Sequence, residues 1–235
     1  MEIIKNRKNR IEIIDVIRGM ALIFMIIYHF LFDLSFFIGL RIDIYSFEVA
    51  IFQIIAAYTF VTISGVSSLL SRNNIKQGIK LILIGMVITI ASFFFAPDDP
   101  IYFGTLHFIG VAKILYGLFG KYINKINCIV GIVSSLLLFS ITKQILYNIV
   151  IDTPHLYILG LMDNNFSSLD YFPIFPWIFL FLFGVFLFSS IKDKLPEKIG
   201  KIKVPVISFI GRNTLIFYLI HQPILLGLLY LFTLI

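Results

Sequence analysis

The chain has 235 residues, 59% of them hydrophobic and 14% charged, and a formal net charge of +6. Its mean hydropathy of +0.99 excludes an ordinary soluble domain. The basic residues sit in short clusters between apolar segments, which speaks for membrane topology and against a nucleic-acid partner, and the one cysteine, Cys128, excludes an internal disulfide.

Seven apolar segments follow in chain order: 13–40, 47–70, 79–96, 101–120, 127–150, 171–190 and 205–234. A helix of roughly 20 apolar residues crosses a bilayer, so these predict an all-α, polytopic helix bundle forming one domain. The first segment follows a basic start, as a signal peptide does, but its length and internal charges point to a retained helix.

That first segment carries Asp15, Arg18, His29 and Asp33. At about 100° per residue, all four fall on a stripe roughly 60° wide. A charge at the bilayer centre costs roughly 2.5–3.5 kcal/mol, so the stripe must face other helices or a wet cavity. Asp15 and Arg18, three positions apart, can satisfy each other as an ion pair. His29 and Asp33, one turn apart, have the arrangement of a general base held by a carboxylate.

Basic residues alternate between connecting segments. Lys5, Arg7, Lys8 and Arg10 precede the first segment, and Arg72, Lys76 and Lys80 follow the second. Lys121 and Lys125 follow the fourth, and Lys192, Lys194, Lys198, Lys201 and Lys203 follow the sixth. The intervening connections hold Arg41 alone. By the positive-inside rule the N-terminus is cytoplasmic and the C-terminus outside, in a multi-pass protein of the plasma membrane. Residues 151–170, with Asp152, Asp163 and Asp170, then form an outer connection, read either as a cover over an outward-opening site or as a plain solvated loop.

In the fourth segment His107 is flanked by Gly104 and Gly110, which allow close helix approach. A lone histidine there reads first as a hydrogen-bonded core residue. Lys113, deeper in the same segment, either snorkels to the surface or attracts an anionic ligand. Trp177 ends the run PIFPW and reads as an interfacial aromatic at a helix start. Ser64, Gly65, Ser67 and Ser68 read as a packing face. The seventh segment is expected to begin as a short interfacial piece and to enter the membrane with Asn213 as N-cap. Arg212 beside it is either a phosphate ligand or a topological anchor. His221 precedes Pro223, which frees the carbonyl of Leu219, and His221 or Gln222 is expected to serve that carbonyl. The four histidines are scattered, and no zinc-type cluster, P-loop or nucleophile elbow is present in the sequence.

Four blocks carry a family resemblance. IDVIRGMALIFMIIYHFLFDL at 14–34 resembles the start of the heparan-alpha-glucosaminide N-acetyltransferase catalytic domain family, in its short bacterial form. IYFGTLHFIGVAKIL, YFPIFPWIFLFLFGVFLF and IGRNTLIFYLIHQPIL resemble its later blocks, in the same order. The spacing from Arg18 to His29 is also similar to that of membrane acyltransferases that O-acetylate bacterial surface glycans. The resemblance implies transfer of an acyl group, usually acetyl, from cytoplasmic acyl-CoA to a sugar amine or hydroxyl of a glycan or glycolipid at the outer face. It implies acetyl-CoA as donor, His29 as the catalytic histidine with Asp33 as partner, and Arg18 on the donor path. Asp15, Lys113 and Arg212 join Arg18 as donor-side candidates, and His107, His221 and Trp177 are secondary or acceptor-side candidates. His29 either takes the acceptor's proton or carries the acyl group itself. The alternative reading is a small proton-coupled transporter or flippase with the polar stripe along its path. Self-association into a homodimer is left open.

Overall fold

The computed structural model describes residues 11–149, 151, 155–200, 202 and 204–233, with the side chains of 147, 197, 198, 232 and 233 excepted. The expected cytoplasmic bases Lys5, Arg7, Lys8, Arg10, Lys201 and Lys203, together with Asp152 and the last residue of the seventh segment, lie outside the described residues. The helices are α1 (Glu12–Ile38), α2 (Phe47–Leu70), α3 (Asn74–Phe95), α4 (Thr105–Ile123) and α5 (Cys128–Tyr147), followed by α6 (Ile174–Ile191), α7 (Glu197–Gly200), α8 (Pro205–Arg212) and α9 (Thr214–Thr233). A 3-10 turn spans Leu156–Leu159. Among the described residues seven helices, α1 to α6 and α9, are long and apolar enough to cross a membrane, as the apolar segments predicted.

Where helices begin and end follows capping rather than hydropathy. Asn73 accepts from the Lys76 amide (2.8 Å) and starts α3 at Asn74, five residues ahead of its apolar run. Lys76 and Lys80 therefore belong to a helix rather than a loop. Asn127 accepts from the amides of Ile129 (2.9 Å) and Val130 (3.4 Å) and starts α5. Gly39, at φ 73°, ends α1 and returns its N–H to the Leu34 carbonyl. That left-handed turn suits glycine, which has no Cβ to clash. Residues 101–104, expected inside the fourth span, are not helical. Ser92 accepts the Ile101 amide (2.9 Å), Thr89 donates to the Ile101 carbonyl (2.7 Å), and the chain turns into α4 only at Thr105.

The seventh segment divides, as expected, at Asn213. Its capping role differs from the expected one. The Asn213 side-chain amide donates back to the Phe209 carbonyl (2.9 Å), closing α8, and its own backbone carbonyl accepts from Ile216 and Phe217 to open α9. The residue thus serves both helices, because four carbonyls of α8 otherwise lack partners.

The chain forms two compact units, 1–63 with 194–235, and 64–193, with the boundary inside α2. In the first, α1 packs on α8 and α9. Its core gathers Ala21, Leu22, Met25, Ala56 and Phe60, with Phe24, Ile210, Phe217 and Tyr218 against them. The approach of α8 to α1 is so close that a Cβ on Gly19 would overlap the Ile207 carbonyl, and one on Gly211 would overlap the Asp15 carbonyl. Backbone atoms cannot swing aside as a side chain does. Gly211→Ala is therefore expected to cost about 1–3 kcal/mol through overpacking. In contrast, Gly227→Ala meets nothing within 4 Å and should be tolerated. Thermal unfolding of both variants in detergent checks the contrast.

In the second unit α3 packs on α4, and α5 on α6. Gly78 and Gly110 let α3 and α4 approach backbone to backbone, as expected for Gly110, whereas Gly104 caps α4 from outside the helix and lies against the Asp170 carboxylate. Gly65 sits against the Phe181 carbonyl, and Gly131 faces the Phe186 ring. Ile79, Leu83, Val87 and Ile90 of α3, and Ile129, Val130, Val133 and Leu137 of α5, are exposed. Apolar faces of that size need a hydrocarbon solvent.

Residues 155–172 are tied down rather than loose. Asp170 accepts from the Thr105 amide (2.8 Å) and hydroxyl (3.0 Å), capping α4 from a distant part of the chain. Ser167 donates to Asp99, and the Phe172 amide to the Phe103 carbonyl (2.9 Å). Tyr171 donates to the Tyr157 carbonyl (2.6 Å), and burial, with Tyr157 nearby, pushes its phenol above the usual range, so it stays protonated.

Candidate active site

The helical period of α1 places Asp15, Arg18, His29 and Asp33 on one face, and the first unit divides them into two polar centres. Asp15 and Asp33 are fully buried, at 1% and 0% exposure. Arg18 and His29 are partly exposed.

The centre at the start of α1 is an ion network. Arg18 Nη1 lies 3.2 Å from Asp15 Oδ1, so the expected i, i+3 pair is formed. Arg212, carried in by α8, places Nη2 at 2.7 and 2.5 Å from the two carboxylate oxygens of Glu12 and Nε at 3.7 Å from Asp15 Oδ2. Both arginines keep partly exposed side chains, 25% for Arg18 and 34% for Arg212. Glu12 was not singled out in the sequence. Its signal was an acidic residue in the first turn of a helix whose N-terminus favours negative charge.

The centre farther along α1 is formed with α9. His29 stands with its ring centroid 5.0 Å from that of His221, the planes tilted by 53°. Asp33 receives the Gln222 side-chain amide on both oxygens, at 2.9 and 3.0 Å. Among the described residues no hydrogen bond joins Asp33 to His29, and the carboxylate is held by Gln222 of α9. Nor does His221 turn to the carbonyl freed by Pro223. Its Nδ1 lies 2.6 Å from the Tyr218 carbonyl instead. A carbonyl only accepts, so Nδ1 carries the proton, and a neutral His221 presents a bare lone pair at Nε2. That Nε2, like the Gln222 side-chain oxygen, is buried without a hydrogen-bond partner. The first unit therefore holds two adjacent imidazoles, an anchored carboxylate and two unused acceptors inside membrane-crossing helices.

The remaining predicted residues lie in the second unit. Lys113 is buried on α4, its ammonium donating to Ser68 Oγ (3.1 Å) and Gln77 Oε1 (3.3 Å), so it turns inward rather than snorkelling. His107, also buried, fills the space left by the missing side chain of Gly85 and stacks on Phe103 at 5.7 Å. Trp177 packs between Phe172 (4.6 Å) and Phe139 (5.9 Å). Among the described residues no group of three or more His, Cys, Asp or Glu side chains is arranged to hold a metal ion.

Comparison with known proteins adds a family. No curated protein matches the chain, and no solved structure does. A family model described as heparan-alpha-glucosaminide N-acetyltransferase, catalytic, matches residues 10–223, which takes in both polar centres of the first unit and all of the second. The chain belongs to that family of membrane acetyltransferases.

Proposed function

We propose that this protein moves an acetyl group from cytoplasmic acetyl-CoA to a sugar amine or hydroxyl at the outer face of the plasma membrane, with His29 as the base. One observation carries the reading. A polar centre of His29, Asp33, His221 and Gln222 is built into apolar helices, where an unneeded polar group is costly. Family membership supplies the reaction class.

In this mechanism His29 takes the proton of the acceptor as its nitrogen or oxygen attacks the thioester carbonyl. The carbon–sulfur bond then breaks, and the thiolate leaves and is protonated. Asp33, anchored by Gln222 and one turn from His29, stabilises the imidazolium through space. Arg18 and Arg212 bring positive charge in planar guanidinium form to the phosphates of the donor at the cytoplasmic end. Asp15 and Glu12 hold the two guanidiniums in place, so the grip is set before the donor arrives. The family's glycan or glycolipid acceptors enter from the outer face.

The test uses purified protein in detergent or nanodiscs with acetyl-CoA and glucosamine, following thiol release. Thiol released faster with glucosamine than without it supports transfer. Failure to bind acetyl-CoA, together with solute flux in liposomes, would point to a transporter instead.

A further inference from the structure

The second imidazole has no place in the reaction as drawn so far. If His221 were only a structural residue, its one hydrogen bond, Nδ1 to the Tyr218 carbonyl, would leave a polar atom stranded in an apolar helix. An apolar residue would avoid that cost, since a buried acceptor without a partner is unfavourable. The bond does something specific. It fixes the tautomer, and with it the atom that can accept a proton.

Two imidazoles joined by a nitrogen-to-nitrogen hydrogen bond of ordinary length have centroids roughly 5 Å apart. The rings of His29 and His221 are 5.0 Å apart, with Nε2 of His221 unused. At that ring separation a His29 N–H lies within the range of a hydrogen bond to that atom. Both helices belong to the same compact unit, and α1 packs directly on α9.

We propose that His221 is a positioning and proton-relay residue for His29, a role that rests on the acyl-transfer reading above. The acceptor N–H or O–H bond breaks as the proton passes to His29, and the new carbon–nitrogen or carbon–oxygen bond forms at the thioester carbonyl. The imidazolium N–H of His29 then bonds to Nε2 of His221, which takes the proton and returns His29 to its neutral form. The carbon–sulfur bond breaks, the thiolate leaves with the electron pair, and the proton stored on His221 goes back through His29 to sulfur. No proton is left over, and no oxidant or further reactant is needed. The Tyr218 carbonyl supports the charged form by accepting from Nδ1 throughout.

His221→Asn and His221→Ala test the role, with acetyl-CoA and glucosamine as substrates. Asparagine can still donate to the Tyr218 carbonyl but cannot accept a proton. Alanine leaves a cavity that imidazole can enter. Both variants should unfold at temperatures close to the wild type and keep KM for acetyl-CoA within about twofold. Both should lose turnover by about 100-fold, the lower end of acid–base contributions. Added imidazoles should restore His221→Ala in order of their basicity, which loss of a merely structural contact would not allow. His221→Asn turnover within threefold of the wild type would overturn the relay, as would a slow His221→Ala that no imidazole restores. Absence of thiol release by the wild type would overturn the acyl-transfer reading itself, and the relay with it.

Discussion

Replacing His29 by alanine is expected to lower acetyl transfer by at least about 100-fold, and by as much as about 10,000-fold, while the protein still folds. The expectation of intact folding comes from its neighbours. His29 makes ring contacts with Tyr28 (centroids 5.7 Å) and His221 (5.0 Å), whereas the hydrogen bonds of this centre belong to Asp33, Gln222, His221 and Tyr218. Removal of the imidazole therefore takes away chemistry and packing but breaks no polar link. Thiol release from acetyl-CoA and thermal unfolding in detergent measure the two effects separately. Activity within tenfold of the wild type, in protein of normal stability, would remove His29 from the mechanism. Wild-type kinetics add a second discrimination. Intersecting lines on double-reciprocal plots fit direct transfer with His29 as base, and parallel lines fit an acyl-histidine intermediate.

The largest stability effect is expected at Gln222. Its amide is bonded to both oxygens of Asp33, a residue with no exposed surface. Gln222→Leu would strand that carboxylate among apolar helices, and leaving a buried charged acceptor without its hydrogen bonds costs about 3 kcal/mol. Removing both partners is a different matter. Asp33→Leu with Gln222→Leu leaves no polar group to desolvate, and such apolar replacements are often close to neutral. The double variant should therefore unfold at a higher temperature than Gln222→Leu alone, while both fail in acetyl transfer. A double-mutant cycle on the unfolding temperature reads the coupling directly. A double variant no more stable than Gln222→Leu would show that the carboxylate and the amide do not act as a unit. Asp33 would then owe its burial to something other than α9.

These two residues also mark how far the amino-acid order could be read. His29 was legible because a polar residue in a long apolar run stands out, and the 3.6-residue period shows which neighbours share its face. Gln222 was legible only as a polar residue beside a proline. A glutamine there could serve its own helix, a neighbouring helix or a ligand, and local rules favour the nearest unsatisfied carbonyl. Its partner is 189 positions away. The same distance in sequence hid the link from Arg212 to Glu12, 200 positions apart, and the cap that Asp170 places on Thr105. The pairing of Arg18 with Asp15 was legible from their i, i+3 spacing, whereas Arg212 read as a phosphate ligand or a topological anchor, and only the fold gives it the carboxylate of Glu12.

Helix ends show the same division on a smaller scale. Hydropathy put the start of the third span at residue 79, but Asn73 begins α3 at Asn74, because an amide acceptor for an exposed N–H outweighs a few polar residues in the first turn. Asn213 announced a break, and only its geometry shows that the side chain closes α8 instead of opening α9. The number of membrane-crossing helices and the polar stripe on α1 each depend on residues close together in the chain, and the family on short blocks read in order along it. Which helix supplies the second imidazole, which side chain holds the buried carboxylate and which nitrogen of His221 is left to accept a proton were decided by tertiary packing. The reason is physical: a one-dimensional pattern shows which face of a helix must avoid lipid, and only the packed neighbours determine what that face meets.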